Sequence, residues 1–181
     1  MEEQLLPVIR AADEHRRRFE AFSRALTAEE LVLPVPNATW QVGDYAAHLA
    51  TIDEFVGDWF AHLADGRPWR PRGDGGGPFD IDAWNEVRVR ARRATPVEAM
   101  LSEAARQREQ LWSVLDRLEA DVLAQHFEFR DQTISHLRYL ELWTGHDPSH
   151  SADMLRALPR TAHSEARAWI REWAGQQAPA Q

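Results

Sequence analysis

Residues 143–155 run Trp-Thr-Gly-His-Asp-Pro-Ser-His-Ser-Ala-Asp-Met-Leu. His146 and His150 are four apart, so on a helix both imidazoles share one face and can reach one cation. Leu137, Leu140, Trp143, Met154 and Leu158 continue the same three- and four-residue spacing. The pattern predicts a core-facing stripe on a helix that starts near Thr133–Ser135 and is stopped by Pro159. An unpaired polar ring on such a stripe is costly, which favours a shared ligand, although two partly buried histidines satisfied by their neighbours remain the alternative. Pro148 has no N–H for the carbonyl of Thr144, so the helix must kink or restart here, with Asp147 as N-cap and Pro148 as its first helical residue if it restarts.

A third ligand has to come from another segment, and His48 is the candidate. It belongs to a predicted helix from about Gln41–Asp44 to Ala64, beside Tyr45, Leu49 and Ile52 on a stripe completed by Val42, Val56, Trp59 and Leu63. Two further long helices are expected. Residues 3–26 carry Val8, Ala12, His15, Phe19, Phe22 and Leu26 at helical spacing, with Arg16-Arg17-Arg18 read as a solvated face. Residues 95–122 begin with Thr95 as N-cap, Pro96 as first residue and Glu98 as the return bond. Their stripe is Val97, Leu101, Ala104, Leu111, Leu115, Leu118 and Val122, interrupted by Arg108.

Shorter elements fill the gaps. Thr27 to Glu30 forms a capping box for one turn of helix, and Leu33 to Asn37, with two prolines, is extended. Residues 65–78 hold five glycines and three prolines and read as a loop, and residues 79–93 as a helix. Residues 125–132 alternate like a short strand or extended turn, and 163–173 suit a last helix. The domain expected is 1–173, with 174–181 as a disordered tail. Amphipathic helices with one apolar face each make an all-α four-helix bundle the simplest architecture, and bundle cores are a common place for metal sites.

Composition narrows the chemistry. The formal charge of −8 argues against nucleic acid and anionic membrane as partners. With no lysine, a Schiff base or P-loop is excluded; with no cysteine, so are disulfides, thiolate zinc sites and Cys nucleophiles. No apolar stretch approaches membrane-spanning length and the N-terminus is not a signal peptide, so the cytoplasm is the expected location. Eight tryptophans suggest a core or pocket lined with indoles.

Three imidazoles would leave a coordination position open, as in catalytic rather than structural sites. Asp153 and Asp44 are candidate orienters of His150 and His48, although an exposed acid at a helix surface is the favoured reading of each. Arg108, Trp143 and Asp53 are candidate substrate-binding residues. For Arg108 the competing reading is an arginine at the edge of the stripe that reaches water or pairs with an acid, and for Asp53 and Glu54 a solvated acid rather than a general base. His15, His62, His126, His136 and His163 lack partners at ligand spacing and are taken as structural or exposed. There is no G-x-S-x-G, Walker or G-x-G-x-x-G motif, and no repeated E-x-x-H of a di-iron bundle.

The segments 39–50 (T-W-Q-V-G-D-Y-A-A-H-L-A), 82–88 (D-A-W-N-E-V-R), 95–101 (T-P-V-E-A-M-L) and 146–155 (H-D-P-S-H-S-A-D-M-L) together resemble the DinB/YfiT-like superfamily. That group includes the N-terminal domain of mycothiol-dependent maleylpyruvate isomerases. The resemblance implies an up-down-down-up four-helix bundle and a divalent metal, zinc or nickel, held by side chains matching His48, His146 and His150. It also implies a thiol-dependent S-transferase or isomerase using mycothiol or bacillithiol, and a homodimer. A hydrolase variant would activate water in the same site. The alternatives are a non-catalytic metal or small-ligand binder in stress response or self-protection, and a structural bundle with vestigial histidines. Either active form would take a small-molecule substrate, in a pocket shaped by tryptophans and the 65–78 loop.

Overall fold

The computed structural model describes residues 3–71 and 79–177. After a short 3-10 turn at Glu3–Leu5, helix α1 spans Leu6–Arg24 and α2 Ala28–Leu31. Helix α3 spans Val42–Ala64, α4 Ile81–Arg92, α5 Val97–Leu115 and α6 Ala120–Ala124. Strands β1 (His126–Phe129) and β2 (Gln132–Ser135) form an antiparallel hairpin, with Phe127 opposite Ile134. Helices α7 (His136–Trp143), α8 (His146–Ala157) and α9 (Ser164–Gln177) complete the chain. The protein is all-α apart from that hairpin, as expected. No helix among the described residues is long and apolar enough to cross a membrane.

Side-chain pairings give the helix directions. Asp53 meets Arg108, Gly57 lies against Leu111 and Asp65 meets Arg117, so α3 and α5 run parallel. Arg24 meets Glu98 while Asp13 takes the Trp112 indole N–H, so α1 opposes α5. His48 faces His146 while Tyr45 lies on His150, so α8 opposes α3. This is the up-down-down-up order. The parallel neighbours α3 and α5 require a long crossover, which carries α4. The shared core includes Phe19, Leu49, Val56, Phe60, Leu101, Leu111, Leu115, Leu140 and Met154, all fully buried. Each such side chain contributes about 1.5–3 kcal/mol through removal from water.

Several boundaries differ from the periodicity. Helix α5 stops at Leu115 rather than Val122; the chain turns and restarts in α6, so Leu123 is fully buried while Val122 is only half-buried. Pro96 takes the N-cap position of α5 in place of Thr95, without a side-chain cap bond. Asp80 caps α4 by accepting from the backbone of Asp82 and Ala83, so that helix begins at Ile81. The capping box at Thr27 and Glu30 is formed as expected. Helix α9 continues to Gln177, and residues 178–181 lie outside the described residues, as does much of the expected loop (72–78).

The predicted fourth helix is divided in two. β2 occupies 132–135, and α7 starts at His136 behind the N-cap Ser135, whose side chain accepts from the Arg138 N–H. Helix α7 ends at Trp143, and α8 starts at His146 behind Gly145. The restart therefore falls two residues before the position predicted from Pro148. A Cβ on Gly145 would lie 3.3 Å from the Leu142 carbonyl oxygen and 3.6 Å from the Trp173 ring, so the break is closely packed. The Ser149 N–H closes onto the Gly145 carbonyl at 3.1 Å. Pro148 thus lies in the first turn of α8, where backbone N–H groups have no intrahelical acceptor, and its missing donor costs nothing.

Candidate metal centre

His146 and His150 project from adjacent turns of α8 toward His48 on α3. Their ring centroids are 4.5 Å apart, and each lies 4.9 Å from that of His48. One nitrogen from each ring falls in a group whose members lie within 4.8 Å of one another. The Nε2 atoms of His48 and His146 are 3.3 Å apart. Two ligands held about 2.1 Å from a tetrahedral zinc would stand about 3.4 Å from each other, so this pair is already at ligand spacing.

The electrostatics suit neutral ligands. Burial, with His150 next in weight, pushes His48 down to about 3. Burial, then His150 and His48, holds His146 well below the ordinary histidine value. Both rings therefore carry lone pairs at neutral pH, as metal ligation requires. The Nδ1 atoms of His48 and His146 are buried without a hydrogen-bond partner. His150 differs, since its Nδ1 lies 3.1 Å from the Asp153 carboxylate, which leaves Nε2 for the shared site. A cation between the rings would relieve the apposed His48 and His146 nitrogens, and the donor set fits a divalent metal.

Asp153 reaches His150, the less favoured of its two readings, and also pairs with Arg156. Asp44 does not reach His48. Its carboxylate accepts from the Gln41 backbone N–H and from Arg93, and it is buried rather than exposed.

Beneath the histidines lies a buried charge network that periodicity did not reveal. Arg16 donates to Asp147 from Nε at 2.9 Å and from Nη2 at 3.0 Å. Arg108 grips Asp53 through Nε at 2.8 Å and Nη2 at 3.1 Å. Arg16 Nη2 also approaches Asp53 at 3.4 Å, and Arg108 Nη2 lies 3.7 Å from Asp147. Remaining donors reach the carbonyls of Leu49 and Ala12. Two arginines and two aspartates from α1, α3, α5 and α8 thus neutralise one another, with every member almost fully buried.

Arg16 is therefore not part of a solvated face, and Asp53 is not a solvated acid. Arg108 pairs with an acid inside the bundle instead of reaching water. Trp143 is buried, with the Arg108 guanidinium 4.7 Å from its ring centre and Trp112 beside it. Asp53, Arg108 and Trp143 accordingly sit together below the imidazoles. The signal for Arg16 was its position, four after Ala12 and three before Phe19 on the core stripe.

Other histidines serve the scaffold. The ring Nδ1 of His15 bonds the Thr144 carbonyl at the α7–α8 break, that of His136 the Val122 carbonyl, and His163 pairs with Glu30. Most indoles lie away from the site. Trp59 and Trp69 stack near Phe55 and Phe127, with Trp84 against Phe55. Trp40 is the indole that touches the imidazoles, 5.0 Å from His48 and 5.3 Å from Tyr45. Its Nε1 donates to Glu86 on α4. Trp40, Asn85, Glu86 and Arg90 line a cleft of about 530 Å³ between the 33–41 loop and α4, and Trp40 forms the wall it shares with His48.

A four-helix bundle in which three imidazoles from two helices converge defines a protein equipped to bind a divalent metal. The DinB superfamily model matches residues 11–154, a span that includes all three histidines, and the chain belongs to that superfamily. No curated protein matches the chain.

Proposed function

We propose that this protein is a metal-dependent enzyme in which His48, His146 and His150 hold a zinc or nickel ion and a low-molecular-weight thiol, of the mycothiol or bacillithiol type, is activated for S-transfer or isomerisation in the cytoplasm. The observation that carries the reading is the convergence of three imidazoles, two of them held neutral by burial, which would leave a coordination position open. A metal bound there would lower the pKa of a thiol or water that reaches it. The chain's own groups do the rest. Asp153 orients His150, and Trp40 from the loop and Tyr45 from α3 pack on the imidazoles. The cleft beside Trp40 offers a small electrophile an approach.

Four carboxylates near the site are already engaged. Asp53 and Asp147 are held by Arg16 and Arg108, Asp153 by His150 and Arg156, and Glu86 by Trp40 and Arg90. With those acids occupied, activation of a thiol or a water would fall to the metal, which removes the need for a separate base by lowering the pKa of the group it binds.

Elemental analysis of tag-free protein beside His150→Ala tests the first half, with about one zinc or nickel per chain expected in the parent and its loss in the variant. No metal after reloading would overturn the proposal. A thiol-transfer screen of loaded protein tests the second half, and metal without thiol consumption would leave a non-catalytic binding protein.

A further inference from the structure

Each neutral imidazole has one nitrogen with a lone pair and one with a hydrogen. If His48 presents its Nε2 lone pair to the shared site, its Nδ1 must carry the hydrogen, and that hydrogen needs an acceptor. His48 Nδ1 is buried and has no hydrogen-bond partner. The Asn85 side-chain oxygen is likewise buried and without a partner. Unmade bonds at buried donors and acceptors are costly, so two complementary orphans from neighbouring elements are unusual.

The surrounding structure places Asn85 opposite His48. Asn85 is on α4, which belongs to the crossover and not to the four main helices. Two contacts dock α4 against the site. Glu86 accepts from the Trp40 indole, and that indole lies on His48. Arg93, which follows α4, grips buried Asp44, one helical turn before His48. Asn85 is 9% exposed and lines the cleft whose wall Trp40 shares with His48. Asn85 also stands among the side chains close enough to act on the His48 ring.

We infer that Asn85 is a positioning residue: its carbonyl oxygen accepts the Nδ1–H of His48, selects that tautomer and turns Nε2 toward the shared cation site. The inference rests on the metal reading above and extends it to a residue outside the bundle. Asn85 then does for His48 what Asp153 does for His150, and outer partners of this kind commonly govern metal affinity 10- to 100-fold. It also gives the crossover a task at the centre, with Asp44, Arg93, Trp40 and Glu86 holding the frame.

The test compares wild type, Asn85→Ala and Asn85→Asp by two readouts. Imidazole nitrogen NMR shifts of chelator-treated wild type should show the Nδ1–H tautomer at His48, and the Nε2–H tautomer there would overturn the inference whatever the variants do. Zinc affinity by chelator competition should fall about 10- to 100-fold in Asn85→Ala and recover in Asn85→Asp, whose carboxylate is a stronger acceptor. Affinity within about twofold of wild type in Asn85→Ala, or equal losses in both variants, would overturn it as well. Wild type that binds no zinc would refute the metal reading, while the tautomer measurement would still decide the role of Asn85.

Discussion

Arg16 and Asp147, separated by 131 positions in the chain, form a two-point ion pair under the histidines, and Asp147 directly follows the candidate ligand His146. Taking charges out of water is expensive, so a buried pair is not necessarily a source of stability, but breaking one strands the remaining charge. Arg16→Met should therefore lower unfolding stability by about 3–5 kcal/mol in urea titrations. The neighbouring Arg17→Met removes an exposed pair with Glu14 and should cost under about 1 kcal/mol. Equal losses in the two variants would show that the network adds nothing specific.

The same network predicts an acid limit. Burial pushes the Asp147 carboxyl up, but Arg16 and Arg108 outweigh it and hold the group below its ordinary value of 3.8. A carboxylate depressed in the folded state contributes stability above its unfolded pKa and loses it as pH falls through the folded one. Melting temperatures of chelator-treated wild type should show this contribution intact at about pH 6 and declining below about pH 4. In Arg16→Met the main opposing charge is gone, so acid unfolding should begin at higher pH. An unchanged acid midpoint would mean that Asp147 is not held in this way.

Asp153 receives the Nδ1 side of His150 and also Arg156. A neutral amide is a weaker acceptor than a carboxylate, so Asp153→Asn should leave the fold intact and weaken zinc binding roughly 10-fold in chelator competition. Unchanged affinity would make Asp153 a surface acid bridging two neighbours.

The bundle and the three histidines were legible because both follow from period. Apolar residues at three- and four-residue steps mark a helix face, and His48, His146 and His150 fall on such faces. The charge network was not, because its partners lie far apart in the chain and pair only when four helices meet. Arg108 was visible as an interruption of a stripe, yet nothing local names Asp53 as its partner. Arg16 was hidden inside Arg16-Arg17-Arg18, where only the middle and last residues reach outward. Asn85 carried no signal, since its environment depends on a crossover whose docking is not written in periodicity. The break at Leu115 was missed because the apolar spacing runs across it, whereas the break after Trp143 was signalled by Pro148 and misplaced by two residues.

The second of those breaks can be tested through Pro148. In an uninterrupted helix from β2 to Pro159 this proline would lie in the interior, costing about 3 kcal/mol or more, and Pro148→Ala would be strongly stabilising. In the structure α8 restarts at His146, and Pro148 occupies its first turn with no N–H required. Replacing it with alanine there removes a buried ring and frees the unfolded chain, so the variant should be less stable by up to about 1 kcal/mol. Urea titration of chelator-treated protein reads the difference directly. A gain of about 2–3 kcal/mol would mean that α7 and α8 are one strained helix, and the shared face of His146 and His150 would then have to be redrawn around a kink.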